Sequence, residues 1–69
     1  MDLSARNVLK GTVVDVEKGP VNSEISIKLP GGEIITSIIT KSSTEGMKIE
    51  KGKEVYAIIK ASNVMIGVD

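Results

Sequence analysis

Two short polar clusters carry residues that could do chemistry. Near the start, Ser4-Ala5-Arg6-Asn7 holds the only arginine in a chain whose other eight basic residues are lysines. Near the end, Lys60-Ala61-Ser62-Asn63 again sets one cation among small and hydroxyl-bearing residues. Such a set suits a small oxyanion. The hydroxyls of Ser4 and Ser62 donate and rotate to suit, and the Arg6 guanidinium presents a planar fork of N–H groups. Ala5 and Ala61 leave their backbone N–H groups open to approach. A unit charge about 4 Å from a cation is worth roughly 4 kcal/mol at an effective dielectric near 20, before desolvation. Arg6 and Lys60 together offset a dianion, which limits the cost of burying it. A third group, Thr40, Ser42 and Ser43, places hydroxyls at an expected helix start, where free N–H groups converge.

The same composition excludes other chemistries. The chain has no cysteine and no histidine, so disulfides and zinc sites are out of reach. It also shows no obvious pair of carboxylates for acid–base work, and no enzyme activity or catalytic cofactor is expected. Nine Lys+Arg balance nine Asp+Glu, and Tyr56 is the one aromatic residue. A nucleic-acid-binding barrel module is the alternative reading, but it needs a basic groove and stacking aromatics that this sequence lacks. Apolar runs of only a few residues predict no membrane span. The first residues lack the layout of a secretory signal, and a cytoplasmic location is expected.

These clusters need a scaffold, and the apolar residues define it. Ten isoleucines and eight valines favour pleated strands, and no stretch keeps a helical period. The first strand is predicted over Asn7 to Lys18, with Val8, Thr12, Val14 and Val16 on one face and Leu9 and Val13 on the other. Gly11 inside it suggests a bulge or bend. Gly19-Pro20 ends that strand. Ile25, Ile27 and Leu29 alternate with polar residues in a second strand over Ser23 to Leu29. Pro30-Gly31-Gly32 turns the chain into a third strand, Glu33 to Thr40. Ser42-x-x-Glu45 matches a capping box and predicts one short helix between Lys41 and Met47, with Gly46 as its stop. A fourth strand over Glu54 to Lys60 and a fifth over Val64 to Val68 complete an all-β, five-stranded OB-type barrel with a short helix between strands three and four.

At 69 residues the chain is one domain, and a domain of that size is marginal alone. Adjacent pairs such as Ile34-Ile35, Ile38-Ile39 and Ile58-Ile59 place one apolar side chain on each sheet face. Burial between subunits is therefore expected.

Taken in order, Ser4-Ala5-Arg6-Asn7 with Lys10-Gly11, Gly19-x-Val21-Asn22-x-Glu24, Ile38-Ile39-Thr40, Gly52-Lys53-Glu54-Val55 and Lys60-Ala61-Ser62 resemble the Mop family, the molbindins. The resemblance runs through nearly the whole chain and implies a single Mop domain over residues 1–69. It implies cytoplasmic storage of molybdate or tungstate, bound as the intact oxyanion with no direct metal ligands. It also implies a homohexamer built as a trimer of dimers. A site at subunit interfaces is expected from Ser4, Ala5, Arg6, Thr40, Ser43, Lys60, Ala61 and Ser62. A second oxyanion site near a three-fold axis is expected from Gly19, Pro20, Val21, Asn22 and Ser23. Pro20 departs from the family pattern and removes one backbone donor there.

Overall fold

The computed structural model describes residues 4–69. Strands β1 (Asn7–Lys18), β2 (Asn22–Lys28) and β3 (Ile34–Thr40) form a meander. Helix α1 (Lys41–Gly46) follows, then β4 (Glu54–Ile59) and a single 3-10 turn at Ala61–Asn63. The four strands make one antiparallel sheet in the order β3-β2-β1-β4. β1 is the shared member. Its first half, Asn7 to Thr12, pairs with β4, and its second half, Thr12 to Lys18, pairs with β2. A twelve-residue strand serving two neighbours in succession curls the sheet toward a barrel.

The curl has two causes in β1. The register shifts between Val13 and Asp15, which leaves Val14 as the extra residue of a bulge. The bulge breaks the alternation, so Val13 and Val16, three apart, both pack into the interior. The bulge thus falls at Val14 and not at Gly11, and Val16 does not share the outer face with Val14. Gly11 has a different role. A Cβ there would lie 2.6 Å from Ile27 Cγ2 and 2.8 Å from the Lys28 carbonyl oxygen, so only glycine lets β1 and β2 cross this closely.

Val13, Ile25, Ile27 and Ala57 are buried, and Val16, Ile35, Ile39, Ile49 and Val55 pack against them. Each fully buried branched side chain is worth about 1.5–3 kcal/mol. A core of four buried apolar residues is thin, and apolar side chains remain exposed outside it: Val21, Ile34, Ile38 and Tyr56 are each more than half exposed.

Two local expectations are corrected. The helix is capped by Thr40 and not by Ser42. The Ser43 backbone N–H donates to Thr40 Oγ1 at 3.1 Å, and Thr44 Oγ1 donates to the Thr40 carbonyl at 3.0 Å. The extended backbone of Thr40, the last residue of β3, is the geometry a cap requires, which leaves Ser42 inside the first turn. The fifth strand is also absent. Val64–Val68 is irregular and exposed, because the 3-10 turn, closed by the Asn63 N–H to the Lys60 carbonyl at 2.8 Å, does not return the chain to an edge of the sheet. The turn at Gly32 (φ 98°) falls where glycine was expected to allow it, and Gly52 (φ 90°) makes a second such turn before β4.

Candidate oxyanion-binding site

The antiparallel register of β1 and β4 ends on the pair Asn7 and Ile59. Asn7 Nδ2–H donates to the Ile59 carbonyl at 3.1 Å across 52 residues of sequence, which ties the two chain segments together at this point. Arg6 is the residue before Asn7 and Lys60 the residue after Ile59. The pairing thus delivers the two cations to the same end of the same strand pair. Ser4 and Ala5 enter from one side, and the 3-10 turn carries Ala61 and Ser62 in from the other. Ser4, Ala5, Arg6, Lys60, Ala61 and Ser62 all lie next to the Asn7–Ile59 end of this strand pair. Apart from half-buried Ala5, these residues are exposed.

Thr40 and Ser43 are placed elsewhere. Thr40 pairs with Asn22, and the Lys41 N–H donates to the Val21 carbonyl at 2.8 Å. Both contacts fix the start of α1 beside the start of β2, which lies at the Lys18 end of β1. Lys18 lies at the other end of the twelve-residue strand that starts at Asn7, about 36 Å of contour at ~3.3 Å per residue. One chain therefore splits the eight residues expected for one site into a group of six and a group of two. The physical cause is the register itself, because β4 and β2, which carries β3 on its far side, pair with opposite halves of β1.

The second end has its own polar set. Thr40 Oγ1 donates to Ser43 Oγ at 2.9 Å, and Ser42 Oγ is 3.4 Å from Thr40 Oγ1. In the adjoining turn, the Gly19 N–H is spent on the Asn22 carbonyl at 2.8 Å, and Pro20 has none to offer. Of Gly19, Pro20, Val21, Asn22 and Ser23, the first two thus present no free backbone donor. Ser23 is only 1% exposed, and its hydroxyl has no partner. A buried hydroxyl without a partner is costly.

Among the described residues, neither polar set sits in a closed cavity of one chain. The larger concavities lie between β3 and β4 and around Lys10, Lys28 and Glu54. No group of three or more His, Cys, Asp or Glu that could hold a metal ion occurs among the described residues. Sequence reasoning noted Asn7 but gave its side chain no task. The signal was its place as the first paired residue of the strand, where a side-chain amide can span to a facing carbonyl.

Comparisons with known proteins agree with this architecture. A TOBE domain model matches residues 3–66. A probable molybdenum-pterin-binding protein of Haemophilus influenzae is 46% identical over 69 residues, covering all of both chains. The structure of MopII from Clostridium pasteurianum superposes with a TM-score of 0.92 at 43% identity, covering 97% of this chain and all of that one. ModG, described as a cytoplasmic molybdate-binding protein and solved with molybdate bound, superposes with a TM-score of 0.96 at 46% identity. That match covers all of this chain and 49% of ModG. The chain belongs to the TOBE-domain family and, within it, to the Mop proteins, the molbindins.

Proposed function

We propose that this chain is a single Mop domain that binds molybdate, or tungstate, as the intact oxyanion and holds it in the cytoplasm without performing chemistry. The observation that carries the reading is the register that sets Arg6 and Lys60 at one end of the β1–β4 pair, among the hydroxyls of Ser4 and Ser62. Two cations against a dianion leave the site near neutral, and the surrounding donors fit four oxygen atoms. Likeness to ModG, solved with molybdate bound, and to a relative named for molybdenum-pterin binding supports the same reading.

Exposure of the cationic cluster gives the reading its second half. An anion held there in one chain would stay in water, where a charge pair is worth little. A neighbouring copy supplies the cover. Thr40 and Ser43 of that copy complete the site begun by Arg6 and Lys60, which is why one chain keeps the two groups apart. The assembly is a homo-oligomer, a hexamer arranged as a trimer of dimers. The Gly19 to Ser23 turn lines a second oxyanion site, with the unpartnered Ser23 hydroxyl as its buried donor.

Calorimetric titration tests this directly. Molybdate and tungstate bind with similar affinity, and sulfate competes only at large excess. Sulfate is smaller, so donors held by strands are left long, at about 1–3 kcal/mol for each one unsatisfied. Sulfate displacing molybdate at comparable concentration would reduce the site to a general anion patch and overturn the storage reading.

A further inference from the structure

Pairing between β1 and β4 runs from Thr12 and Glu54 to Asn7 and Ile59, and there it stops. The last rung of a ladder is where paired strands fray. Arg6 lies one residue beyond that rung on one strand, and Lys60 one residue beyond it on the other. Among the described residues, no hydrogen bond or ion pair joins Ser4, Ala5 or Arg6 to any residue from Lys60 onward. The backbones of the two cations are therefore held in place by this rung.

The rung carries a contact that the others lack. Asn7 Nδ2–H donates to the Ile59 carbonyl at 3.1 Å, the one hydrogen bond among the described residues from a side chain to the backbone of another strand. That carbonyl belongs to the peptide unit that Ile59 shares with Lys60. The Asn7 backbone nitrogen belongs to the unit that Asn7 shares with Arg6. One short side chain thus grips the peptide unit leading into Lys60, while its own backbone leads out of Arg6. Lys60 passes the constraint on, because its carbonyl accepts the Asn63 N–H at 2.8 Å and closes the turn that holds Ala61 and Ser62. An amide suits the task. It donates without adding a charge, whereas an aspartate of the same shape would only accept and would repel an oxyanion.

We propose that Asn7 is a positioning residue for oxyanion binding: its side-chain amide locks the Ile59–Lys60 peptide unit against β1, so that Arg6 and Lys60 act on one dianion as a coupled pair. Two long, exposed side chains that reach an anion from unconnected backbones lose freedom separately. Backbones fixed in advance reduce that loss and let both charges act at once. This deepens the oxyanion reading and rests on it.

A double-mutant cycle tests the coupling. Molybdate is titrated by calorimetry into the wild type, Lys60→Gln, Asn7→Leu and the double variant. Asn7→Leu keeps the size of the side chain and removes the donor, and Asn7→Ala is a second route to the same loss. In the wild-type background Lys60→Gln is expected to weaken molybdate binding at least about tenfold. In either Asn7 background the same change is expected to cost about threefold or less, because the two cations no longer act together. Ile25→Val thins the buried core away from this end and is expected to keep the full cost of Lys60→Gln, which separates positioning from general loss of stability. Asn7→His places an N–H at the same reach along the side chain and is expected to restore the coupling. Equal costs of Lys60→Gln with and without Asn7 overturn the proposal and leave the oxyanion reading standing. If neither Asn7→Leu nor Asn7→Ala folds, Asn7 serves the fold itself and the proposal fails. A wild type that does not bind molybdate overturns the oxyanion reading, and this proposal with it.

Discussion

The two ends of β1 carry polar groups of different kinds. At the Asn7 end sit two cations on exposed side chains, beside the Asn7 to Ile59 hydrogen bond that closes the β1–β4 pairing. At the Lys18 end, Thr40 and Ser43 are neutral, but Thr40 is pinned by a helix cap and strand pairing. The first end has charge without rigidity, and the second has rigidity without charge. Charge attracts any dianion, and fixed hydroxyls measure its size. On the proposed function, preference for a large tetrahedral oxyanion over sulfate needs both, and within one chain the fold keeps them apart.

That contrast is sharpened first by Arg6→Ala. Loss of a charge-assisted donor is expected to cost about 1.5–3 kcal/mol, or about ten- to a hundredfold in molybdate affinity. Melting of the unliganded protein should stay unchanged, because Arg6 precedes the core residues. Calorimetry and thermal melting check the two halves, and unchanged affinity would make Arg6 a plain surface charge. Thr40→Val has the smaller, complementary effect. Losing the cap destabilises the fold by about 1 kcal/mol. It should also narrow the preference for molybdate over sulfate while leaving both binding measurably. A selectivity unaltered by Thr40→Val would remove the rigid end from the site.

The smallest effect belongs to a charge pair outside both ends. Lys10 Nζ lies 3.0 Å from Glu54 Oε2, and the hydrogen bond to Glu54 raises the Lys10 pKa. A lysine raised in the folded state adds stability at pH values below its unfolded pKa, and that contribution is lost as pH climbs through the folded value. The pair is exposed to solvent, where such contacts contribute little. Glu54→Gln should shift neither the melting temperature at neutral pH nor molybdate affinity. A clear loss of affinity would place the Lys10 cleft in the binding machinery and break the two-ended comparison.

Local patterns made most of the fold legible. Alternation of Ile25 and Ile27 with polar neighbours marked β2 to within a residue at each end, and Asn7 to Lys18 was bounded as observed. The Pro30-Gly31-Gly32 turn was equally plain, since the positive φ at Gly32 favours glycine, whereas nothing in the sequence marked the positive φ of Lys48. What escaped was whatever depends on distant partners. The bulge went to Val14 because pairing with Ile27 and Ser26 shifts there, which no single-strand pattern records. The cap went to Thr40 because β3 ends in extended backbone. Val64–Val68 has the composition of a strand, but pairing needs a free edge within reach of this chain, and composition does not say which chain supplies it. Both cationic clusters were legible as chemistry. Their meeting within one chain, with Thr40 and Ser43 left out, depended on the β1–β4 register.

The hydrogen bond from Asn7 to Ile59 closes a loop of 52 residues. The β1-β2-β3 meander needs only short loops, whereas β4 must find the first half of β1 across most of the chain, and long closures are slow. Folding kinetics therefore order the molecule in time. The hydroxyl end forms with the meander, and the cationic end forms when β4 docks. If Arg6 and Lys60 hold the oxyanion as proposed, it cannot guide that last step, because the two cations are not at one end of the sheet until it is done. Its effect falls on escape from the folded state: bound molybdate slows unfolding and leaves the folding rate nearly as it was.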